Sequence, residues 1–251
     1  MFPVVAQPDA RLDGGNGAGA KDRFLGILML ESRFPRPLGD IGHPDSFPVP
    51  TRRFVVQGAT ARKVVQDAAG LAASGLLDAF MVAACELERE GAAAITTSCG
   101  FLVLFQRELQ DAVRVPLVTS SLVMLPPLLQ NRGQVGLLTI SSQRLGPEHL
   151  IAAGVPRARM ADVIVQGVEP KGEFASVILG DRTNMDVTKA AREVVEAAHE
   201  LRRRAPAMDT VVLECTNLPP FARHIEEATG LRTLSLLQCE TLLQPFAAIP
   251  P

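Results

Sequence analysis

The sequence of 251 residues contains no tryptophan and no tyrosine, and its 25 Lys and Arg residues are balanced by 27 Asp and Glu residues. Proteins that bind nucleic acids need cationic side chains for the phosphates and, for single strands, aromatic rings for the bases. The composition therefore disfavours a nucleic-acid partner. No run of about 18 apolar residues occurs either, so we expect no membrane span.

Residues 1–22 have the composition of a segment without a stable fold. Met1 to Ala10 lacks a basic start and an apolar core, so we do not expect a signal peptide. Residues 11–22 are rich in glycine and polar side chains, which cannot bury enough apolar surface to fold. We predict a disordered tail over residues 1–22 and a cytoplasmic protein.

The chain has only four cysteines, and none of them shows the spacing of a zinc site or a CxxC motif. We therefore predict no metal site and free thiols. Cys85 and Cys239 lie among apolar residues in helical segments and are predicted to be packing residues. The sequence has no GxGxxG motif and no P-loop, so no nucleotide cofactor is indicated, and we predict no cofactor.

Apolar segments of strand length alternate with segments of helical periodicity, which predicts an α/β fold with parallel sheets. Strands are predicted at Phe24–Leu30, Ala92–Thr97, Val115–Ser120, Val135–Ile140, Asp162–Gln166, Thr210–Glu214 and Arg232–Ser235. Two long loops are predicted at Glu31–Thr51 and Gly167–Asn184. Long loops in compact domains often cover binding sites.

The two halves of the chain contain a repeated unit. Ala94–Gly100 and Thr210–Thr216 are each an apolar strand that ends in a cysteine, and each is followed by a helix and another strand. Either cysteine alone is most simply a packing residue, because free cysteine is often buried. Two cysteines at matched strand ends favour a shared active site. The helix after each cysteine is expected to lower the pKa of the thiol.

With Cys99 and Cys215 at these places, the chain resembles the aspartate/glutamate racemase superfamily, which also includes hydantoin racemases, maleate isomerases and arylmalonate decarboxylase. The resemblance covers about residues 24–247. The first-half motif of that family is Cys-Asn-Thr, where this chain has Ser98–Phe101 with glycine after the cysteine. The second is Gly-Cys-Thr followed by Glu or His, where this chain has Glu214–Asn217. Family racemases also place an acid and a hydroxyl after the first strand, where Glu31 and Ser32 stand.

The resemblance implies two similar parallel-sheet α/β halves, residues 23–132 and 133–236, related by a pseudo-two-fold axis with the active site in the cleft between them. A C-terminal helix within residues 237–251 would pack back on the first half. The implied activity is that of a cofactor-independent racemase or epimerase acting on a small amino acid, hydantoin or related carboxylate. Cys99 and Cys215 would remove and return a proton on opposite faces of the α-carbon.

Several polar groups near the strand ends are predicted to bind the substrate or to stabilise the enolate. They are Glu31, Ser32, Thr97, Gly100, Ser120, Ser121, Thr216 and Asn217. For Gly100, Thr216 and Asn217 the expected donors are backbone N–H groups at helix starts. For Thr97, Ser120 and Ser121, ordinary capping or turn hydrogen bonds explain the residues equally well.

Three alternatives to the racemase stay open from the sequence. A decarboxylase of malonate-like acids needs only one active thiol, a maleate-type enzyme isomerises a small diacid, and a catalytically silent member only binds a small ligand. A small carboxylate or hydantoin is the expected partner throughout, and a homo-oligomer is also compatible with the sequence.

Overall fold

The computed structural model describes residues 23–131 and 133–247, so the predicted tail over residues 1–22 lies outside the described residues. Within the described part, the strands form two four-stranded parallel sheets. The first sheet has the order β2-β1-β3-β4 and the second the order β6-β5-β7-β8. The equal orders confirm the two similar α/β halves predicted from the sequence.

The strands of both sheets are short and mostly buried. They are β1 (Phe24–Leu30), β2 (Thr51–Val56), β3 (Ala92–Thr97), β4 (Leu117–Val118), β5 (Val135–Thr139), β6 (Val163–Gly167), β7 (Thr210–Leu213) and β8 (Arg232–Leu234). In β1 all seven residues are buried, because helices or loops cover both faces of a parallel sheet. Leu28 and Leu30 contribute to the large core, whereas Leu25, Ile27 and Met29 belong to a second, smaller cluster.

The helices lie between the strands as the alternating pattern predicts. The α-helices are α1 (Ala61–Val64), α2 (Ala68–Ala73), α3 (Leu77–Arg89), α4 (Gln106–Ala112), α5 (Leu125–Asn131), α6 (Pro147–Ala152), α7 (Glu173–Leu179), α8 (Val187–Arg204), α9 (Ala222–Thr229) and α10 (Glu240–Leu243). Shorter 3-10 helices occupy Gly100–Phe105, Ser121–Met124, Arg157–Asp162, Pro219–Phe221, Leu236–Gln238 and Gln244–Phe246. No helix of the described residues is long and apolar enough to cross a membrane.

The C-terminal segment of the described chain returns to the first half. Leu236, Cys239 and Leu242 pack against Leu25 and Ile27 of β1 in the smaller hydrophobic cluster. The prediction that Cys239 is a packing residue is confirmed by its burial. The same prediction is wrong for Cys85, which is exposed.

Three local predictions differ from the structure. The strand β2 was not expected, because its Arg52 and Arg53 are exposed and mask the apolar signal of an edge strand. The predicted loop Gly167–Asn184 contains helix α7, which begins after Gly172. The predicted strand Val115–Ser120 is reduced to the two residues of β4, Leu117 and Val118.

Candidate active site

One buried pocket lies between the two halves and contains both cysteines of the repeat. Its lining is mostly apolar, and its cavity volume is about 10 Å³, which is room for about one water molecule. The lining residues are Leu30, Phe34, Ala61, Val65, Ser98, Cys99, Gly100, Phe101, Ile140, Ile178, Glu214, Cys215, Thr216 and Asn217. Because all of these residues are buried, a ligand can reach the pocket only if part of its covering moves.

The two loops predicted from the sequence each supply one apolar side chain to the pocket. Phe34 comes from the loop after β1, and Ile178 comes from α7 in the second half. The loop after β1 therefore borders the pocket as its length and position suggested. Ile178 was not foreseen, since the helix that carries it was not predicted.

Both thiols are buried and their pKa values lie above the ordinary range. Burial raises the pKa of the Cys99 thiol to about 12, and the nearby carboxyl group of Glu214 contributes to the increase. The same two causes raise the pKa of the Cys215 thiol well above its usual value. The expectation of lowered thiol pKa values is wrong, because desolvation in this apolar pocket outweighs the helix-terminal N–H groups.

The backbone donors at the two helix starts still act on the thiols. A backbone hydrogen bond from Phe101 lowers the pKa of Cys99, and one from Asn217 lowers that of Cys215. Each donor lies two residues after its cysteine, so the two halves make the same backbone hydrogen bond to the thiol. The thiol of Cys215 also lies 3.6 Å from Oδ1 of Asn217, within reach of a hydrogen bond.

Glu214 is a third ionisable group of the pocket, and it was not among the residues predicted for the site. Its side chain is 1% exposed, and burial raises the pKa of its carboxyl group to about 7. Oε2 accepts a hydrogen bond of 2.6 Å from Oγ1 of Thr139. Oε1 has no hydrogen-bond partner among the described residues. A glutamate at the end of an otherwise apolar strand was the available signal, since Glu is rarely buried without a partner.

Glu214 and Gly100 are in close contact across the pocket. A Cβ atom at Gly100 would lie 2.3 Å from Oε1 of Glu214 and 2.4 Å from its carbonyl oxygen. Only glycine fits at such a distance. The two departures from the family motifs, glycine after the first cysteine and glutamate before the second, are therefore in direct contact in the pocket.

Two hydroxyl groups form hydrogen bonds between the two halves. Thr216 Oγ1 donates a hydrogen bond of 2.6 Å to the carbonyl of Ser98. Ser121 Oγ donates one of 2.8 Å to the carbonyl of Leu213. Both residues were predicted to bind substrate. Ser121 does not line the pocket, and its hydroxyl is occupied in joining the two sheets.

Of the other predicted binding residues, Gly100 and Asn217 line the pocket, whereas four lie outside its lining: Glu31, Ser32, Thr97 and Ser120. Thr97 Oγ1 donates to the carbonyl of Thr119 at 2.7 Å, and Ser120 Oγ accepts from the N–H of Leu122. These contacts are the capping and turn roles that the sequence left open. Glu31 is exposed and accepts a hydrogen bond of 2.7 Å from the N–H of Gly58. Their predicted contact with substrate is not tested by these positions.

The loop after β1 is tied to the second half through Asp40. This buried carboxylate accepts hydrogen bonds from Nδ2 of Asn217 at 2.5 Å, from a guanidinium N–H of Arg36 at 2.8 Å and from the N–H of Gly42 at 2.8 Å. Arg36 also donates to Oγ of Ser32 at 3.0 Å. Ser32 thus lies in the network that docks the loop, and Asp40 connects that loop with the residue beside Cys215.

The sequence matches the Asp/Glu/Hydantoin racemase family over residues 43–240, and the chain belongs to this family. It is 31% identical to a dimethylsulfoniopropionate lyase of Durusdinium sp. clade D over 86% of this chain and 72% of that protein. It is 30% identical to dimethylsulfoniopropionate lyase 3 of Emiliania huxleyi (strain CCMP1516), of which it spans 57%.

Solved structures share the fold at low sequence identity. A liganded mutant of arylmalonate decarboxylase aligns with a TM-score of 0.56 and 14% identity, over 90% of this chain and 94% of the other. The aspartate racemase of Picrophilus torridus aligns with a TM-score of 0.53 and 14% identity, over 89% and 94%. The resemblance read from the motifs is therefore confirmed at the level of family and fold.

Proposed function

We propose that this protein is a lyase that acts on dimethylsulfoniopropionate or a close analogue by removing a proton next to the carboxylate. The observation that carries the proposal is one pocket that contains two buried thiols, in a chain 31% identical to a dimethylsulfoniopropionate lyase over 86% of its length. Proton removal at that carbon is also the first step of a racemase. The proposal therefore keeps the site chemistry predicted from the sequence and changes the outcome of the reaction.

The proposed reaction conserves atoms and charge. A thiolate takes the proton from the carbon next to the carboxylate, and the electron pair of that C–H bond becomes the new C=C bond. The bond between the neighbouring carbon and the sulfonium sulfur breaks, and its electron pair leaves with dimethyl sulfide. The products are dimethyl sulfide, acrylate and a protonated thiol, which returns its proton to solvent before the next turnover.

The pocket supplies further conditions for this step. The positive leaving group needs no acid, because it departs as a neutral sulfide. Negative charge on the carboxylate grows as the proton leaves, and the N–H groups of Gly100 and Thr216 are the proposed donors to it. The high pKa values of both thiols mean that the free enzyme holds them mainly protonated. Substrate binding must therefore favour the thiolate.

Racemisation is the second candidate, and one observation favours it. Cys99 and Cys215 occupy equivalent positions of the repeat and both line the pocket, as two acid/base groups on opposite faces of one carbon require. In a lyase one thiol is sufficient to remove the proton. The second thiol would then influence the protonation of the first thiol or contact the substrate.

The deciding experiment measures dimethyl sulfide release from dimethylsulfoniopropionate by headspace gas chromatography, with the Cys99→Ala and Cys215→Ala variants beside the wild type. We expect at least one of these variants to lose about 10²–10⁴-fold in rate, the usual contribution of a positioned acid/base group. The control is Cys239→Ala, because this buried thiol belongs to the other hydrophobic cluster.

Failure of the wild type to release dimethyl sulfide would overturn the lyase proposal. A parallel incubation of small chiral acids in deuterated water then tests the racemase. In a racemase each single-cysteine variant should still exchange the α-proton of one enantiomer slowly for deuterium, without inverting the configuration at that carbon. Loss of activity only in Cys239→Ala would contradict both candidates.

A further inference from the structure

Glu214 differs from its counterpart in the internal repeat. The N–H of Ser98 donates to the carbonyl of Leu28 at 2.9 Å, and the N–H of Glu214 donates to the carbonyl of Leu138 at 2.9 Å. The two residues therefore occupy equivalent places, each directly before a cysteine of the pocket. The first half has a small hydroxyl there, whereas the second half has a carboxyl group. The carboxyl group is thus an addition to one side of an otherwise symmetric pocket.

The surroundings of this carboxyl group do not satisfy it. Thr139 donates one hydrogen bond to Oε2, and no described residue donates to Oε1. None of the ion pairs formed by the described residues includes Glu214. A buried carboxylate without a positive partner loses solvation free energy that nothing in the folded protein restores. A residue with this cost and without a structural partner is explained if a ligand supplies the missing positive charge.

We propose that Glu214 binds the positively charged onium group of a zwitterionic carboxylate and so determines the charge selectivity of the pocket. The inference rests on the proposed function, whose substrate carries a sulfonium group two carbons from its carboxylate. An onium group has alkyl substituents and no N–H or O–H donor. It therefore needs a negative charge in apolar surroundings, and Phe34, Phe101, Ile140 and Ile178 provide those surroundings beside Glu214.

The same contact explains how a substrate activates the thiols. The carboxylate of Glu214 raises the pKa of both Cys99 and Cys215. A cation bound beside Glu214 opposes that effect and stabilises a thiolate in the pocket. Asp40 also raises the pKa of Cys215, and Arg36 lowers that of Cys99, both from the loop after β1. Of these charges, the onium group of the substrate alone is absent from the free enzyme and present in the complex, so it is the one that changes the thiol pKa values on binding.

The test compares two unreactive ligands of nearly the same shape by isothermal titration calorimetry. One is 3-(trimethylammonio)propanoate, which carries a positive charge, and the other is 4,4-dimethylpentanoate, which has carbon in place of nitrogen. At pH 8 we expect the wild type to bind the charged ligand at least about tenfold more tightly, equivalent to about 1.4 kcal/mol. Glu214→Gln should abolish this preference, whereas Glu90→Gln, which removes a surface carboxylate paired with Arg52, should retain it.

A pH series separates a direct charge contact from a structural role of Glu214. The preference for the cation should weaken as the pH falls through about 7, the pKa of this carboxyl group. The hydrogen bond from Thr139 lowers the pKa of Glu214. Thr139→Val removes this bond and so raises that pKa, and the cation preference of this variant should weaken at a higher pH. A Glu214→Asp variant that folds should keep part of the preference, because it keeps the charge.

Equal affinity of the wild type for the two ligands at pH 8 would overturn the inference, as would a Glu214→Gln variant that still prefers the cation. If the wild type releases dimethyl sulfide but shows no charge preference, only the inference fails. If it prefers the cation but releases no dimethyl sulfide, only the lyase proposal fails. Binding of neither ligand would overturn the inference, whereas the lyase proposal depends on the release of dimethyl sulfide alone.

Discussion

Replacement of Gly100 by alanine tests the close packing of the two halves around the pocket. The new Cβ would lie 2.3 Å from Oε1 of Glu214, 2.4 Å from its carbonyl oxygen and 2.9 Å from its Cδ. The side chain of Glu214 can rotate away, but its carbonyl oxygen belongs to the backbone directly after β7. The variant therefore forces a backbone shift between the two cysteine-bearing segments.

The magnitude follows from known costs of overpacking. Inserting a methyl group into a packed interior typically costs about 1–3 kcal/mol. For a domain of this size each kcal/mol lowers the Tm by about 2–4 °C. We expect Gly100→Ala to lower the Tm by about 2–12 °C and to reduce turnover by about 10²-fold, since a displacement of about 1 Å at a catalytic centre has that effect.

The assay is differential scanning calorimetry together with dimethyl sulfide release. Gly133→Ala is the control, because a Cβ atom there meets nothing within 4 Å. The double variant with Gly100→Ala and Glu214→Ala should recover only part of the lost stability, because the carbonyl contact at 2.4 Å remains. A Tm of Gly100→Ala equal to that of Gly133→Ala would refute the packing argument.

Three further predictions concern charge and access. Iodoacetamide should modify exposed Cys85 first and buried Cys99 much later, as mass spectrometry of the labelled peptides would reveal; equal rates would contradict the closed pocket. Folding raises the pKa of Glu214 from its ordinary 4.5 to about 7, so the folded state binds more protons in this range. Stability should fall as the pH rises from about 4.5 to about 7, by roughly 1.4 kcal/mol per unit, and chemical denaturation should show no such fall in Glu214→Gln. Asp40→Asn removes the charge that holds Asn217, so hydrogen exchange over residues 31–50 should accelerate; unchanged exchange would mean that other contacts dock the loop.

The strands that the sequence predicts well are those with a continuous apolar run. β1 and β3 have the predicted bounds, and every residue of both strands is buried, including Thr96 and Thr97 at the end of β3. β4 is reduced to two of the six predicted residues. The edge strand β2 escaped detection because it is stabilised by parallel pairing with β1 rather than by its own apolar pattern.

The candidate site was predictable to the extent that it follows the repeat. Matched strand ends brought Cys99 and Cys215 to one pocket, and Thr216 and Asn217 lie beside them. The direction of the thiol pKa shifts was not predictable, because it depends on how completely the loop and α7 close the pocket. The glutamate at the end of an apolar strand was a local signal for Glu214, but the contacts of Glu214 and Asp40 join segments far apart in the sequence, and no local pattern reveals such contacts.

The return of the C-terminal segment to the first sheet has a consequence during protein synthesis. Leu25, Ile27 and Met29 leave the ribosome early, yet their packing partners Leu236 and Leu242 are more than two hundred residues away. One face of the first sheet is therefore exposed while most of the chain is still being translated, which makes the nascent chain prone to aggregation. Ribosome-bound chains that stop before residue 236 should accordingly recruit chaperones, and extension past residue 246 should release them.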